Sequence, residues 1–321
     1  MTALQSPPEV TTPPPEPPGR PPHSTGHDRG REVLAGFGLL LPAMVVLLAV
    51  SLYPVLRSLW MSLRDTSPIL RDDKFVGLRN FTRLWSDDGF RNAWWHTIEF
   101  TGVSTLLETL LGLGIALVIH QAFRGRGFVR AVVLIPWAIP TVVTSRMFGY
   151  LFDGDHGLIN YLLLKTGLIH SAVNFTGDTR TAMATIIVAD VWKTTPFMAL
   201  LILAALQTIP DGLKESAAID GASAWRQFWT ITLPLIMPAL LIASLLRALD
   251  AFRIFDLPYV LTGGGPADST EVMSTLAYKT MFSGSQLGYG SAMATAMFLT
   301  EIVIALGFAF FLTRRFRATE A

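Results

Sequence analysis

Nine ionisable residues stand in stretches that are otherwise apolar: Glu99, Glu108, Arg146, Asp190, Lys193, Arg247, Asp250, Arg253 and Glu301. A charge placed at the centre of a membrane costs about 2.5–3.5 kcal/mol on insertion scales, so such groups pair with one another or line water. Asp190 and Lys193 are three apart and share one helical face, where they can neutralise each other. Arg247, Asp250 and Arg253 repeat at the same spacing. Two chemistries fit these stripes. They are ion pairs that lock helices together, or they are the wall of a polar, water-filled cavity. Glu99 and Glu108 lie half a turn apart around a helix and cannot share a site. Glu108 reads as a helix-packing partner for Arg146, and Glu99 as an outer-interface group.

Other chemistries are missing. The 321 residues include no cysteine, which excludes disulfides, thiolate catalysis and Cys-based zinc sites. The six histidines have no ligand spacing, and no G-x-x-x-x-G-K-[ST] phosphate loop occurs. A net charge of +1 gives no basic field for nucleic acid. The chain does not read as an enzyme, and any ATP that drives it is bound by another subunit.

The elements that must position these charges are membrane spans. With 51% hydrophobic and 15% charged residues, the composition is too apolar for a water-exposed fold. Apolar runs of about 20 residues, the length that crosses hydrocarbon, predict six helices near 33–53, 97–121, 129–152, 181–206, 234–255 and 288–312. Pro136 and Pro140 interrupt the third. Gly288, Ala292 and Ala296 give the sixth a small-residue stripe suited to close helix contact with other spans or a partner.

Residues 1–31, with nine prolines among the first 22, form a tail expected to be disordered. Residues 32–315 make the six-span domain and 316–321 a short C-terminal tail. Six spans put both termini on one side. Sorting Lys and Arg gives eleven on that side and ten on the other, so the positive-inside rule barely decides. The tight clusters at 124–130 and 314–317 favour termini inside.

Residues 207–234 are polar yet helical, between the fourth and fifth spans. Pro210 and Asp211 suit a helix start. Ala217 and Ala218 allow close approach of a partner backbone, and Asp220-Gly221 is a turn dipeptide. A second short helix then leads to Pro234. An interfacial amphipathic pair and a docking element both fit this pattern.

The segment Glu215-Ser216-Ala217-Ala218-Ile219-Asp220-Gly221-Ala222, then eight residues, then Ile231-Thr232-Leu233-Pro234, resembles a known signature. It is similar to the E-A-A loop of permease subunits of binding-protein-dependent ABC importers, with Ser216 the one departure. FVGLRNF (75–81), YVLTGGGPADST (259–270) and LGYGSAM (287–293) are similar to the carbohydrate branch of maltose and trehalose type.

The resemblance implies an all-α integral membrane protein of type I importer permease fold in the cell membrane. It puts both termini in the cytoplasm and the 207–234 loop in a groove of the ATPase. Glu215, Ala218, Asp220, Gly221 and Ala222 are the implied coupling residues. The implied partners are a second homologous permease, an ATPase dimer that binds ATP and Mg, and an extracytoplasmic sugar-binding lipoprotein. Loop 261–267 is expected to meet that lipoprotein.

The implied solute is a disaccharide, trehalose first. The alternatives are maltose or maltodextrin, glycerol phosphate, or an ion-coupled transporter that uses the Asp and Lys pairs. Sugars take carboxylates, cations, hydroxyls and a stacked ring. On that chemistry Asp190, Trp192, Lys193 and Thr194 on the fourth span, with Asp250, Phe252 and Arg253 on the fifth, are the expected solute-binding residues.

Overall fold

The computed structural model describes residues 38–69 and 72–319, except the side chains at 72, 211, 311 and 315–319. The Pro-rich tail 1–31 lies outside the described residues. Contacts divide the chain into two units, Met1–Val55 and Leu56–Ala321. The described part of the first unit is apolar helix with its side chains exposed.

Among the described residues, five helices are long and apolar enough to cross a membrane: Gly38–Ser62 (α1), Asp88–His120, Ala182–Leu206, the run Ala224–Leu261, and Leu287–Arg314. The third expected span, near 129–152, is broken. Arg126–Ala138 (α4) and Thr141–Leu151 (α5) meet at 90°. Pro140 is the cause. It holds the preceding Ile139 in extended backbone, φ −74° and ψ 132°, which no helix can pass. Pro136 sits inside α4.

One departure from the all-helical expectation is local: Arg64–Ser67 (β1) and Asp72–Phe75 (β2) form an antiparallel hairpin. Arg79–Ser86 is a short helix (α2). The buried Asn80 amide donates to the Ser62 and Arg64 carbonyls at 2.8 and 2.9 Å, tying α2 to the hairpin. The Asp73 carboxyl is held below its usual range by the Arg64 guanidinium.

Asp88–His120 (α3) and Ala182–Leu206 (α7) cross most closely. A Cβ on Gly112 would stand 2.9 Å from Met198 Cγ and 3.1 Å from the Ala199 nitrogen, so the crossing needs glycine. Around it Ala116, Ile119, Met198, Ile202, Leu206 and Ile236 make one buried cluster. α7 is the most buried span and α1 the least. Between α5 and α7 lies Leu158–Lys165 (α6).

The fifth span ends early. Asp211–Ile219 (α8) and Ala224–Gln227 (α9) lead through a wide turn into Leu233–Phe252 (α10). Residues 253–255 are unwound before Asp256–Leu261 (α11). Met273–Tyr278 (α12) precedes Leu287–Thr319 (α13), which carries helix past the expected boundary at 315. The small stripe on α13 packs within this chain. A Cβ on Gly288 would overlap the Arg64 carbonyl, and Ala292 is fully buried among Phe252, Met273 and Met293.

Candidate functional site

A cavity of about 240 Å³ opens where α4, α5, α7 and α10 converge. Its wall is Trp137, Thr141, Asp190, Lys193, Thr194, Asp250, Arg253, Ile254, Phe255 and Asp256. On α7, Asp190, Lys193 and Thr194 face it together because i, i+3 and i+4 share a helical face. The other members sit at breaks. Trp137 and Thr141 flank the Pro140 bend, 253–255 are the unwound stretch after α10, and Asp256 opens α11. Backbone freed of helix at membrane depth is tolerated where it lines a polar cavity. Here both breaks do.

Behind the wall sits Arg247, its side chain 3% exposed. Its Nη2 donates to Glu108 Oε1 at 2.9 Å and also meets Asp190. Its Nε donates to the other Glu108 oxygen, and its Nη1 reaches Asp250 Oδ2 at 3.3 Å. The Thr194 hydroxyl donates to Glu108 at 2.6 Å. Glu108 is fully buried and Asp190 nearly so, whereas the Asp250 side chain is 72% exposed. Buried charges persist only when paired and hydrogen-bonded, and one guanidinium serves three carboxylates from three helices. Arg253, at the end of α10, lies 3.7 Å from Glu301 on α13.

These contacts correct four sequence expectations. Glu108 pairs with Arg247, not Arg146, which is exposed on α5. Asp190 turns to Arg247 rather than to Lys193. Phe252 does not reach the cavity. It is fully buried against Met273, Tyr289 and Met293. Trp192 points away from the wall, its ring 5.5 Å from Phe148. The rings that do face the cavity are Trp137, stacked on Phe197 at 5.5 Å, and Phe255, stacked on Tyr259 at 5.0 Å. Side-chain chemistry pointed to Phe252 as the ring beside Asp250 and Arg253, within a span expected to continue to Phe255. The helix ends instead, and the chain's turn brings Phe255 back. The signal for Trp137 was its place between Pro136 and Pro140.

The second surface is residues 211–234. α8 closes in a turn in which the Ala222 N–H donates to the Ala217 carbonyl and the Gly221 N–H to Ala218, at 2.9 and 3.1 Å. This pairing of i−5 and i−3 bonds requires a left-handed residue, and Gly221 supplies φ +78°. Ser223 caps the next helix by accepting from Arg226 N. Glu215, Ala218, Asp220 and Gly221 are exposed, and Ala222 is half-buried. Beside them Ile219 is 87% and Trp225 72% exposed. No atom lies within 4 Å of a Cβ placed on Gly221, so this chain fills none of the space in front of it.

Residues 108–318 match the family model of the binding-protein-dependent transport system inner membrane component. The chain belongs to this family. The match takes in Glu108, the cavity wall and the whole 211–234 segment. Among its relatives is the trehalose/maltose transport system permease protein MalF of Thermococcus litoralis, 42% identical over 89% of this chain and 96% of that one. The trehalose transport system permease protein SugA of Mycobacterium tuberculosis is 41% identical, covering 85% and 86%. A crystal structure of a bacterial ABC transporter involved in alginate import superposes with a TM-score of 0.77 at 25% identity, over 90% of this chain and 98% of that one. The fold is thus that of ABC importer permeases, and the protein is an inner-membrane transport component built of several spans.

Proposed function

We propose that this chain is one of two permease subunits of an ATP-driven importer that takes up a disaccharide, with trehalose as the first candidate. The observation that carries this reading is the mixed wall of the cavity. Asp190, Asp250 and Asp256 offer acceptors, Lys193 and Arg253 donors, Thr194 a hydroxyl oxygen, and Trp137 and Phe255 ring faces. Three carboxylates against two cations leave no positive excess, which suits an uncharged polyol better than a phosphate. Relatives that carry trehalose or maltose support the sugar class.

In this mechanism a sugar-binding lipoprotein delivers the solute at the outer face, near loop 261–267. That loop is anchored: Lys279 donates to the Gly263 carbonyl at 2.7 Å and pairs with Glu271. Two ATPase subunits hold the ATP and Mg. Their closure is carried to the spans through Glu215, Ala218, Asp220, Gly221 and Ala222, with Ile219 and Trp225 as the apolar anchors of the docked face. This orientation places both termini in the cytoplasm. Lys214, 3.4 Å from His120 at the end of α3, provides one link from loop to span. Each state of the cycle must bind the sugar differently for the coupling to exist.

The test is ATPase activity of the complete complex in lipid with its binding protein, across trehalose, maltose, lactose and glycerol phosphate. Stimulation by trehalose is expected. Stimulation by maltose alone keeps the importer and changes its sugar, and stimulation by glycerol phosphate alone overturns the uncharged-solute reading.

A further inference from the structure

We propose that Arg247 is a positioning residue for the cavity: it fixes the carboxylates of Asp190 and Asp250 on the wall, with Glu108 as the counter-charge that keeps it behind them. The proposal rests on the reading of the cavity as the solute site. Neither Arg247 nor Glu108 lines the cavity, whereas Asp190, Asp250 and Thr194 do.

An ion pair that served packing alone would need one carboxylate. Here one cation faces three, and two of the three present themselves to the cavity. The planar guanidinium holds several oxygens at once in fixed directions, which a point-like ammonium does not. Hydrogen bonds with an ionised partner are short and directional, so a carboxylate pinned in this way offers its remaining lone pairs at defined places. Sugar hydroxyls are read by where their acceptors stand.

Glu108 completes the device. Fully buried and bonded to two guanidinium nitrogens, it holds Arg247 away from the cavity. It also accepts from the Thr194 hydroxyl, whose other near acceptor is the Asp190 carbonyl at 2.7 Å, so that wall oxygen is left to accept. The Lys193 ammonium, on the wall one turn from Asp190, supplies the cation that faces the solute directly.

The experiment measures equilibrium binding of labelled trehalose, with labelled maltose in parallel, to the assembled permease–ATPase complex in nanodiscs. The binding protein is left out so that only the cavity is read. Arg247→Lys keeps the charge that Glu108 and Asp190 need but loses the fork. Its Kd should rise about tenfold, the order of one charge-assisted hydrogen bond, while the subunit stoichiometry and melting temperature of the complex stay near wild type. Asp250→Asn should raise Kd similarly, and the double variant should add little more, because both remove one arrangement.

An unchanged Kd in Arg247→Lys alongside a raised Kd in Asp250→Asn overturns the positioning role and leaves the cavity reading intact. Unchanged binding in both Asp250→Asn and Trp137→Ala, or no binding of either sugar by wild type, overturns the cavity reading and this role with it. Should Arg247→Lys fail to assemble, Glu108→Gln serves. It keeps the size of the side chain while loosening Arg247, and a severalfold rise in Kd supports the proposal whereas none overturns it.

Discussion

The cavity and the 211–234 segment reverse the usual distribution of side chains, in opposite directions. At the cavity, Glu108, Asp190 and Arg247 are ionisable groups buried in the span bundle. In the segment, Ile219, Trp225 and Trp229 are large apolar groups that stand exposed. Both arrangements cost free energy unless something offsets them. Inside the bundle the offset is internal, since Arg247 meets its carboxylates within this chain. In the segment the rings pack on one another, Trp225 against Phe228 and Trp229, and Trp225 and Trp229 stay exposed. An exposed apolar patch of this kind marks a contact site. A buried charge thus points to what the chain does alone, and an exposed ring to what it does with others.

The largest break in this comparison is expected on the exposed side. Gly221→Arg forces a long side chain into a left-handed turn that L residues rarely adopt and fills the space before it. Uptake should fall to background while the spans still insert. Normal uptake in whole cells would remove the coupling role.

On the buried side, Arg247→Ala strands the Glu108 and Asp190 charges. Such a loss costs about 3–5 kcal/mol, read as a lower melting temperature of the purified complex. A melting curve like wild type would mean that water reaches this cluster.

Gly112→Val should destabilise by about 1–3 kcal/mol through overpacking of the α3–α7 crossing, with sugar affinity unchanged in whatever complex assembles. A shift in affinity would mean that the crossing shapes the cavity.

The smallest effect sharpens the site itself. Trp137→Ala should weaken sugar binding, whereas Trp192→Ala, on the far side of α7, should leave binding per assembled complex unchanged. The reverse order would restore the assignment of Trp192 made from sugar-binding chemistry.

Much was legible without coordinates, because it is written locally. Apolar runs of span length need no partner to be recognised. The i, i+3 spacing of Asp190 with Lys193, and of Asp250 with Arg253, placed four of the wall residues on shared faces, and all four meet at one cavity. The turn chemistry of Asp220-Gly221 reads from the dipeptide. What failed was partner choice. Arg146 and Arg247 are equally good cations for Glu108 as sequence, 38 and 139 residues away, and periodicity carries no information on which helix lies beside which.

The sequence by itself therefore determined the spans, the charged faces they carry and the position of the turn between α8 and α9, since each follows from residue type and short-range spacing. Only the tertiary structure decided that Arg247 gathers Glu108, Asp190 and Asp250, and that Trp137 and Phe255 supply the rings while Phe252 is buried. Those outcomes depend on the Pro140 bend and on the early end of α10. Such breaks redirect everything after them in space and leave the local pattern of the sequence unchanged.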